Sequence, residues 1–144
     1  MKPRHQQSGF SLVEVLVAML IVSIGLLGIV ALQSLALTNT GSSMERSQAV
    51  IQTYSYLDVL RANREDAVIS ALDIPVMTCD PENLPESQVA QRRWIAQLQE
   101  TLGPESCGQV ECLGAGKCTI TVQWDDSRAE GGSETQQLVT ESIL

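Results

Sequence analysis

The chain has 144 residues with 17 acidic and 9 basic side chains, a formal net charge of −8, which is enough for one ordinary domain and a short extra segment. An acidic balance argues against a nucleic-acid partner, which needs clustered Lys and Arg against phosphates, and Arg92-Arg93 is the one adjacent basic pair. The hydrophobic fraction of 44% averages two unlike parts, because apolar residues crowd before Leu37.

Met1 to Gly9 reads MKPRHQQSG, a short, polar, basic leader. Lys2 and Arg4 favour the cytoplasmic side of a membrane by the positive-inside bias. Setting residues 1–9 apart leaves 7 basic and 17 acidic side chains, a net charge of −10. Phe10 follows, then Ser11, Leu12, Val13 and the single carboxylate Glu14, then 23 uncharged residues from Val15 to Leu37. At about 1.5 Å per residue this run covers roughly 34 Å as a helix, enough to cross a hydrocarbon core of about 30 Å.

Three plainer readings fit less well. A secretory signal peptide has an apolar region of about 7–15 residues; this run is longer and Glu14 interrupts its start, although Ser34-Leu35-Ala36 loosely resembles a small-x-small cleavage site. A simple membrane anchor explains the length but neither the Gly9-Phe10 junction nor Glu14. A core helix of a soluble protein needs a larger surrounding fold than this chain supplies.

Glu14 carries the argument. A carboxylate at mid-membrane costs about 2.5–3.5 kcal/mol and calls for a partner. A cut between Gly9 and Phe10 exposes a positive α-amino group on Phe10 in the same apolar surroundings. One reading of Glu14 is a side chain snorkelling to the interface, four positions inside the helix start; in the assembly reading the amine of one subunit pairs with Glu14 of a neighbour, and breaking such a buried pair typically costs about 3–5 kcal/mol.

Gly9-Phe10-Ser11-Leu12-Val13-Glu14 resembles the processing site of type IV prepilins. The resemblance implies cleavage after Gly9 by a membrane prepilin peptidase, N-methylation of Phe10, and an assembly role for Glu14 as fifth residue of the mature chain. It also implies an α+β fold: a long N-terminal helix packed against a small antiparallel β-sheet head. The run Val15 to Ile21, the segments Ser23–Gly28 and Ala31–Gln33, and the strand end Trp124-Asp125-Asp126 are similar to the minor pilins of the type IV pilus modification family. Minor pseudopilins of type II secretion share the Gly-Phe…Glu pattern and are the second reading. The partners implied are other minor pilins, the major pilin, the prepilin peptidase and, before assembly, the inner membrane. The location implied is a single-pass anchor with the head in the periplasm, then the pilus.

The organisation expected is a leader at 1–9, the membrane and filament-core half of the long helix at 10–37, and the head at 38–144. Gly25 and Gly28 give weak packing or bending signals, three apart rather than the four of a GxxxG motif. Thr38-Asn39-Thr40-Gly41-Ser42-Ser43 is a polar patch where the helix is expected to soften. Val50, Tyr54, Leu57 and Leu60 then recur on one helix face, so the long helix is expected from about Ser11 to about Asn63. Tyr54 and Tyr56 read as packing and surface aromatics. Arg64 to Asp73 suggests a separate helical turn, and Pro75 to Pro85 a loop carrying Cys79. Asn83 with Glu86 three later resembles a helix start; Ala90, Trp94, Ile95, Leu98 and Leu102 continue the helix, and Gly103-Pro104 stops it. Ile120, Val122 and Trp124 alternate with polar residues in a strand from Lys117 to Trp124. Gln109 to Cys112 is expected to pair with it, and Gln137 to Leu144 to return as a last strand after the turn-rich Asp125 to Ser133.

The four cysteines, Cys79, Cys107, Cys112 and Cys118, suggest disulfides in an oxidising compartment. Four cysteines allow three pairings that the sequence does not choose among; Cys112 and Cys118 flank the hairpin, which favours Cys112–Cys118 with Cys79–Cys107. Spacings of 27, 4 and 5 intervening residues, with the one histidine, His5, in the leader, argue against structural zinc. Asp125-Asp126 lacks the spaced ligands of a calcium loop. No metal or cofactor is expected. No nucleophile-elbow, phosphate-loop or zinc-protease motif occurs, and the chain reads as an enzyme's substrate rather than an enzyme. A structural pilin subunit, a pseudopilin and an adhesin-like binding head are the function classes that remain.

Overall fold

The computed structural model describes residues 9–113 and 116–144; the leader residues before Gly9 and the hairpin residues Gly114 and Ala115 lie outside this range. The architecture is α+β, a long N-terminal helix whose later part packs on a four-stranded antiparallel sheet. In chain order the elements are α1 (Leu12–Ala62), α2 (Arg64–Val68), β1 (Ile74–Thr78), α3 (Val89–Leu102), β2 (Cys107–Leu113), β3 (Lys117–Trp124) and β4 (Gln136–Ile143). Two compact units divide between Leu37 and Thr38.

In the first unit every described side chain through Leu37 is exposed. This part of α1 is apolar on all sides, and an isolated helix satisfies its own backbone, which is what hydrocarbon surroundings require. The helix is long and apolar enough to cross a membrane.

In the second unit α1 becomes one-sided. Ala49, Thr53, Tyr56, Leu57 and Leu60 are buried, an i, i+4, i+7, i+8, i+11 stripe. The face expected from Val50 and Tyr54 is displaced by about one residue: Tyr54 is 54% exposed while Tyr56 is 1% exposed. The reason lies in two residues that are not obvious core formers. Ala49 is small, and Thr53 is buried because its hydroxyl donates to the Ala49 carbonyl at 2.8 Å. Tyr56 donates its hydroxyl to the Leu72 carbonyl at 2.8 Å. Burial first, and the charge of Asp73 second, push its phenol well above the ordinary tyrosine range.

The sheet is a meander in the order β1-β2-β3-β4. β2 and β3 pair in register from Cys107↔Gln123 to Leu113↔Lys117, and β3 and β4 from Lys117↔Ile143 to Trp124↔Gln136. Alternation along β3 sends Cys118, Ile120, Val122 and Trp124 inward. With Ile74, Val110 and Cys112 they meet Trp94, Ile95, Leu98 and Leu102 of α3 and the α1 stripe in one core. Trp94 anchors it. Its ring lies 4.6 Å from that of Tyr56, and its indole N–H donates to the Gln52 carbonyl at 3.1 Å. Gly108 of β2 makes this possible: a Cβ there would lie 2.7 Å from Trp94 Cη2 and 2.9 Å from Ile95 Cδ1, and closer still to Trp94 Cζ3. Only a residue without a side chain lets α3 sit this close to the strand.

Two expected boundaries are corrected. The segment read as a loop from Pro75 to Pro85 begins with a strand, β1, paired with β2 through Ile74↔Val110 and Thr78↔Gly108 with an irregular register between them. Its proline is tolerated because β1 is an edge strand. The helix expected to start near Asn83 starts at Val89. Asp80, not Asn83, accepts the capping bond, from the Glu82 N–H at 2.8 Å, and starts a short 3-10 turn at Pro81–Asn83. Leu84, ahead of Pro85, is extended with ψ 144°, as a residue before proline tends to be. The Gln88 N–H donates to the Pro85 carbonyl at 2.9 Å, so Pro85 opens a turn rather than a helix.

Candidate processing and assembly site

Gly9 and Phe10 precede α1 in non-helical conformation. The Ser11 carbonyl accepts from the Val15 N–H at 3.3 Å, which makes Ser11 the residue from which α1 grows. Glu14 is therefore in the first turn, where the unpaired N–H groups of a helix favour a negative charge. Phe10 is 84% exposed, and Gly9 is exposed as well. Phe10, Glu14, Ala18 and Val22, with Val15 and Met19, line one shallow groove on the helix surface. Their four-residue spacing explains the shared face.

The chemistry of this face follows from its composition. It is an apolar strip with one carboxylate, Glu14, near its end, and Phe10 lines the same groove. Among the described residues Glu14 makes no ion pair.

The cysteines lie far along the chain from this face. Cys79 is bonded to Cys107 and Cys112 to Cys118, and none is free. Cys79 follows β1 and Cys107 opens β2, so the first bridge ties the ends of two paired strands and returns the chain after α3. The Gln99 amide of α3 donates to the Cys79 carbonyl at 2.6 Å and to the Pro104 carbonyl at 3.2 Å. The second bridge joins directly opposed residues of β2 and β3. Among the described residues no group of three or more His, Cys, Asp or Glu is placed to hold a metal ion. Asp125 caps the Ser127 N–H at 2.9 Å, a bond that holds its carboxyl below the usual range, while Asp126 is buried against α1.

Sequence reasoning missed three polar anchors of the head. Asp73 accepts the Cys112 N–H at 3.2 Å on both carboxylate oxygens. Ser70, in left-handed conformation with φ 61°, donates to the Cys112 carbonyl at 3.2 Å. Asp126 accepts from the Ser42 hydroxyl at 2.7 Å. Each joins residues at least 39 positions apart, and no local pattern announces such a pair.

The family described as the prokaryotic N-terminal methylation motif matches residues 4–30. No curated protein and no solved structure matches the chain. The matched stretch contains Gly9, Phe10, Glu14 and most of the apolar half of α1, and nothing of the head. This prepilin-type motif, on an exposed apolar helix joined to an α+β head, indicates a type IV pilin-like or pseudopilin-like protein.

Proposed function

We propose that the chain is a minor pilin of the type IV pilus, of the pilus modification kind. A prepilin peptidase cuts after Gly9, and the new N-terminal Phe10 is methylated. The uncut and newly cut forms are held in the inner membrane by the first half of α1, with the disulfide-bonded head in the periplasm. The subunit then joins other minor pilins and the major pilin, helps to start assembly, and so contributes to twitching motility and adhesion. Its role is structural rather than enzymatic.

The observation that carries this reading is the pairing of the methylation motif with Phe10 and Glu14 on one exposed apolar face. A surface of this kind is unstable in water. Lipid covers it first, and the corresponding helices of neighbouring subunits cover it later. Glu14 is costly in lipid and stabilising beside a neighbour's amine, so it favours leaving the membrane for the filament.

The experiment compares Gly9→Asp and Glu14→Ala with the unaltered chain in the native host. Gly9→Asp is expected to keep the leader, seen as the uncut mass, and to reduce surface pili. Glu14→Ala is expected to be cut and retained in the membrane, with incorporation into sheared pili down about ten-fold or more, below the full cost of about 3–5 kcal/mol for breaking a buried pair. Normal incorporation of Glu14→Ala would refute the pairing. The methylation motif is equally compatible with a minor pseudopilin. If deletion of the chain abolishes exoprotein release and leaves twitching intact, the secretion reading replaces the pilus reading.

A further inference from the structure

The β3–β4 connection, residues 125–135, reaches α1 where the head begins. The Ser42 hydroxyl donates to Asp126 Oδ2 at 2.7 Å, and Asp126 is 6% exposed. The Arg128 guanidinium meets Glu45 Oε1 at 2.7 Å. Between them, Ser42, Ser43, Arg46, Asp126, Gly132 and Gln136 are among the residues lining a polar cavity of about 180 Å³.

The connection has a shape of its own. The Asp126 N–H donates to the Ser133 carbonyl at 2.9 Å, the Ala129 N–H to the Asp126 carbonyl at 3.0 Å, and the Gly132 N–H to the Ala129 carbonyl at 3.0 Å. A Cβ on Gly132 would collide with the Asp126 carbonyl oxygen. The loop therefore closes on itself and presents Asp126 and Arg128 as a preformed clasp.

The helix beneath it is weak by composition. Thr38-Asn39-Thr40-Gly41-Ser42-Ser43 consists entirely of residues that favour turns, caps or strands over a helix interior. Ser43 and Ser47 turn their hydroxyls onto carbonyls four residues back, at 3.0 and 2.8 Å, a habit that slightly destabilises helices. The compact head also begins at this point, at Thr38. Yet α1 runs unbroken from Leu12 to Ala62.

We propose that the β3–β4 connection is a strap: by gripping Ser42 and Glu45 it keeps the Thr38–Ser43 segment helical, and when it lets go that segment opens locally. The subunit thus carries a built-in switch between a closed and an opened state of α1 at the start of the head. The strap acts through one partly buried hydrogen bond to a carboxylate and one ion pair whose Arg128 end is exposed and whose Glu45 end is half-buried, so either can be changed without touching the α1–α3 core. The inference does not depend on whether the chain serves a pilus or a secretion machine.

Hydrogen exchange on the full chain in detergent micelles tests it, since exchange reads local opening. Asp126→Ala is expected to speed exchange of amides 40–46 about ten-fold or more, the usual effect of losing a hydrogen bond to a charged group. Arg128→Glu, at an exposed position, is expected to speed the same amides about three-fold, as for a surface ion pair. Glu45→Arg combined with Arg128→Glu is expected to return them near the original rate. Amides 53–60 of α1 and those of α3 stay unchanged throughout. If Asp126→Ala fails to fold, Arg128→Glu and its charge-swapped partner decide alone. Unchanged exchange at 40–46, or acceleration spread evenly over the head, overturns the strap.

Discussion

Leu12–Leu37 and Thr38–Ala62 are stretches of one helix built on opposite rules. The first is apolar all round, and all its side chains are exposed. The second has a single buried stripe from Ala49 to Leu60 and polar or mixed residues elsewhere. Backbone hydrogen bonding is the same in both, so side chains alone make the difference. Burial inside the chain stabilises the second stretch, whereas the first is left exposed and is long and apolar enough to cross a membrane. The head thus folds on its own contacts, and the first stretch is left as a surface for something else.

The largest effect that probes this division is expected from Trp94→Ala. Trp94 is 2% exposed, stacks near Tyr56 and fills the space that Gly108 leaves open. Removing it creates a cavity between α1, α3 and β2, at about 3–5 kcal/mol. Denaturant unfolding followed by near-ultraviolet dichroism should show this loss in the head. Flotation of the same variant with membranes should be unchanged. Loss of membrane association together with head stability would mean that the two stretches are not independent.

The converse variant is Leu26→Arg, in the middle of the apolar run. An arginine at mid-membrane costs about 2.5–3.5 kcal/mol, and no buried contact of the head is altered because Leu26 is exposed. The expected result is a reduced share of the chain in the membrane fraction, with the head unfolding at the same denaturant concentration. A shifted head midpoint would break the comparison.

These contrasts also explain how much could be read from the sequence. The long helix was legible because a charge gap of 30 residues, Val15 to Met44, and a one-sided stripe are local properties. β3 was legible because Ile120, Val122 and Trp124 alternate strictly. The methylation motif was legible because Gly9, Phe10 and Glu14 stand within six residues. The buried stripe was misplaced because Thr53 counts as polar until its hydroxyl is seen to bond to Ala49. β1 was missed because Pro75 argues against a strand unless that strand is known to be an edge. The α3 start was misplaced because Asn83 with Glu86 matches a cap pattern that the fold does not use: Asp80 caps a short 3-10 turn, Pro85 opens another turn, and α3 begins at Val89 with no side-chain cap. The strap was invisible because Ser42 and Asp126 are 84 positions apart.

The smallest effect in this series concerns the short bridge. Cys112–Cys118 has a sequence separation of 6, against 28 for Cys79–Cys107. Chain entropy alone makes the short loop worth about 2.2 kcal/mol and the long one about 3.6 kcal/mol. The first figure is an upper estimate for this head. The hairpin is already in register along its whole length, and the Cys112 backbone is held on both sides, its N–H by Asp73 and its carbonyl by Ser70. With those anchors in place, Cys112→Ser with Cys118→Ser is expected to cost less than about 2 kcal/mol and to leave membrane association untouched. Adding Asp73→Ala should then expose what the bridge had been covering, with a combined loss greater than the sum of the two. Strict additivity would show that the anchors and the bridge act independently, and that the head lacks the redundancy that sets it apart from the bare first stretch of α1.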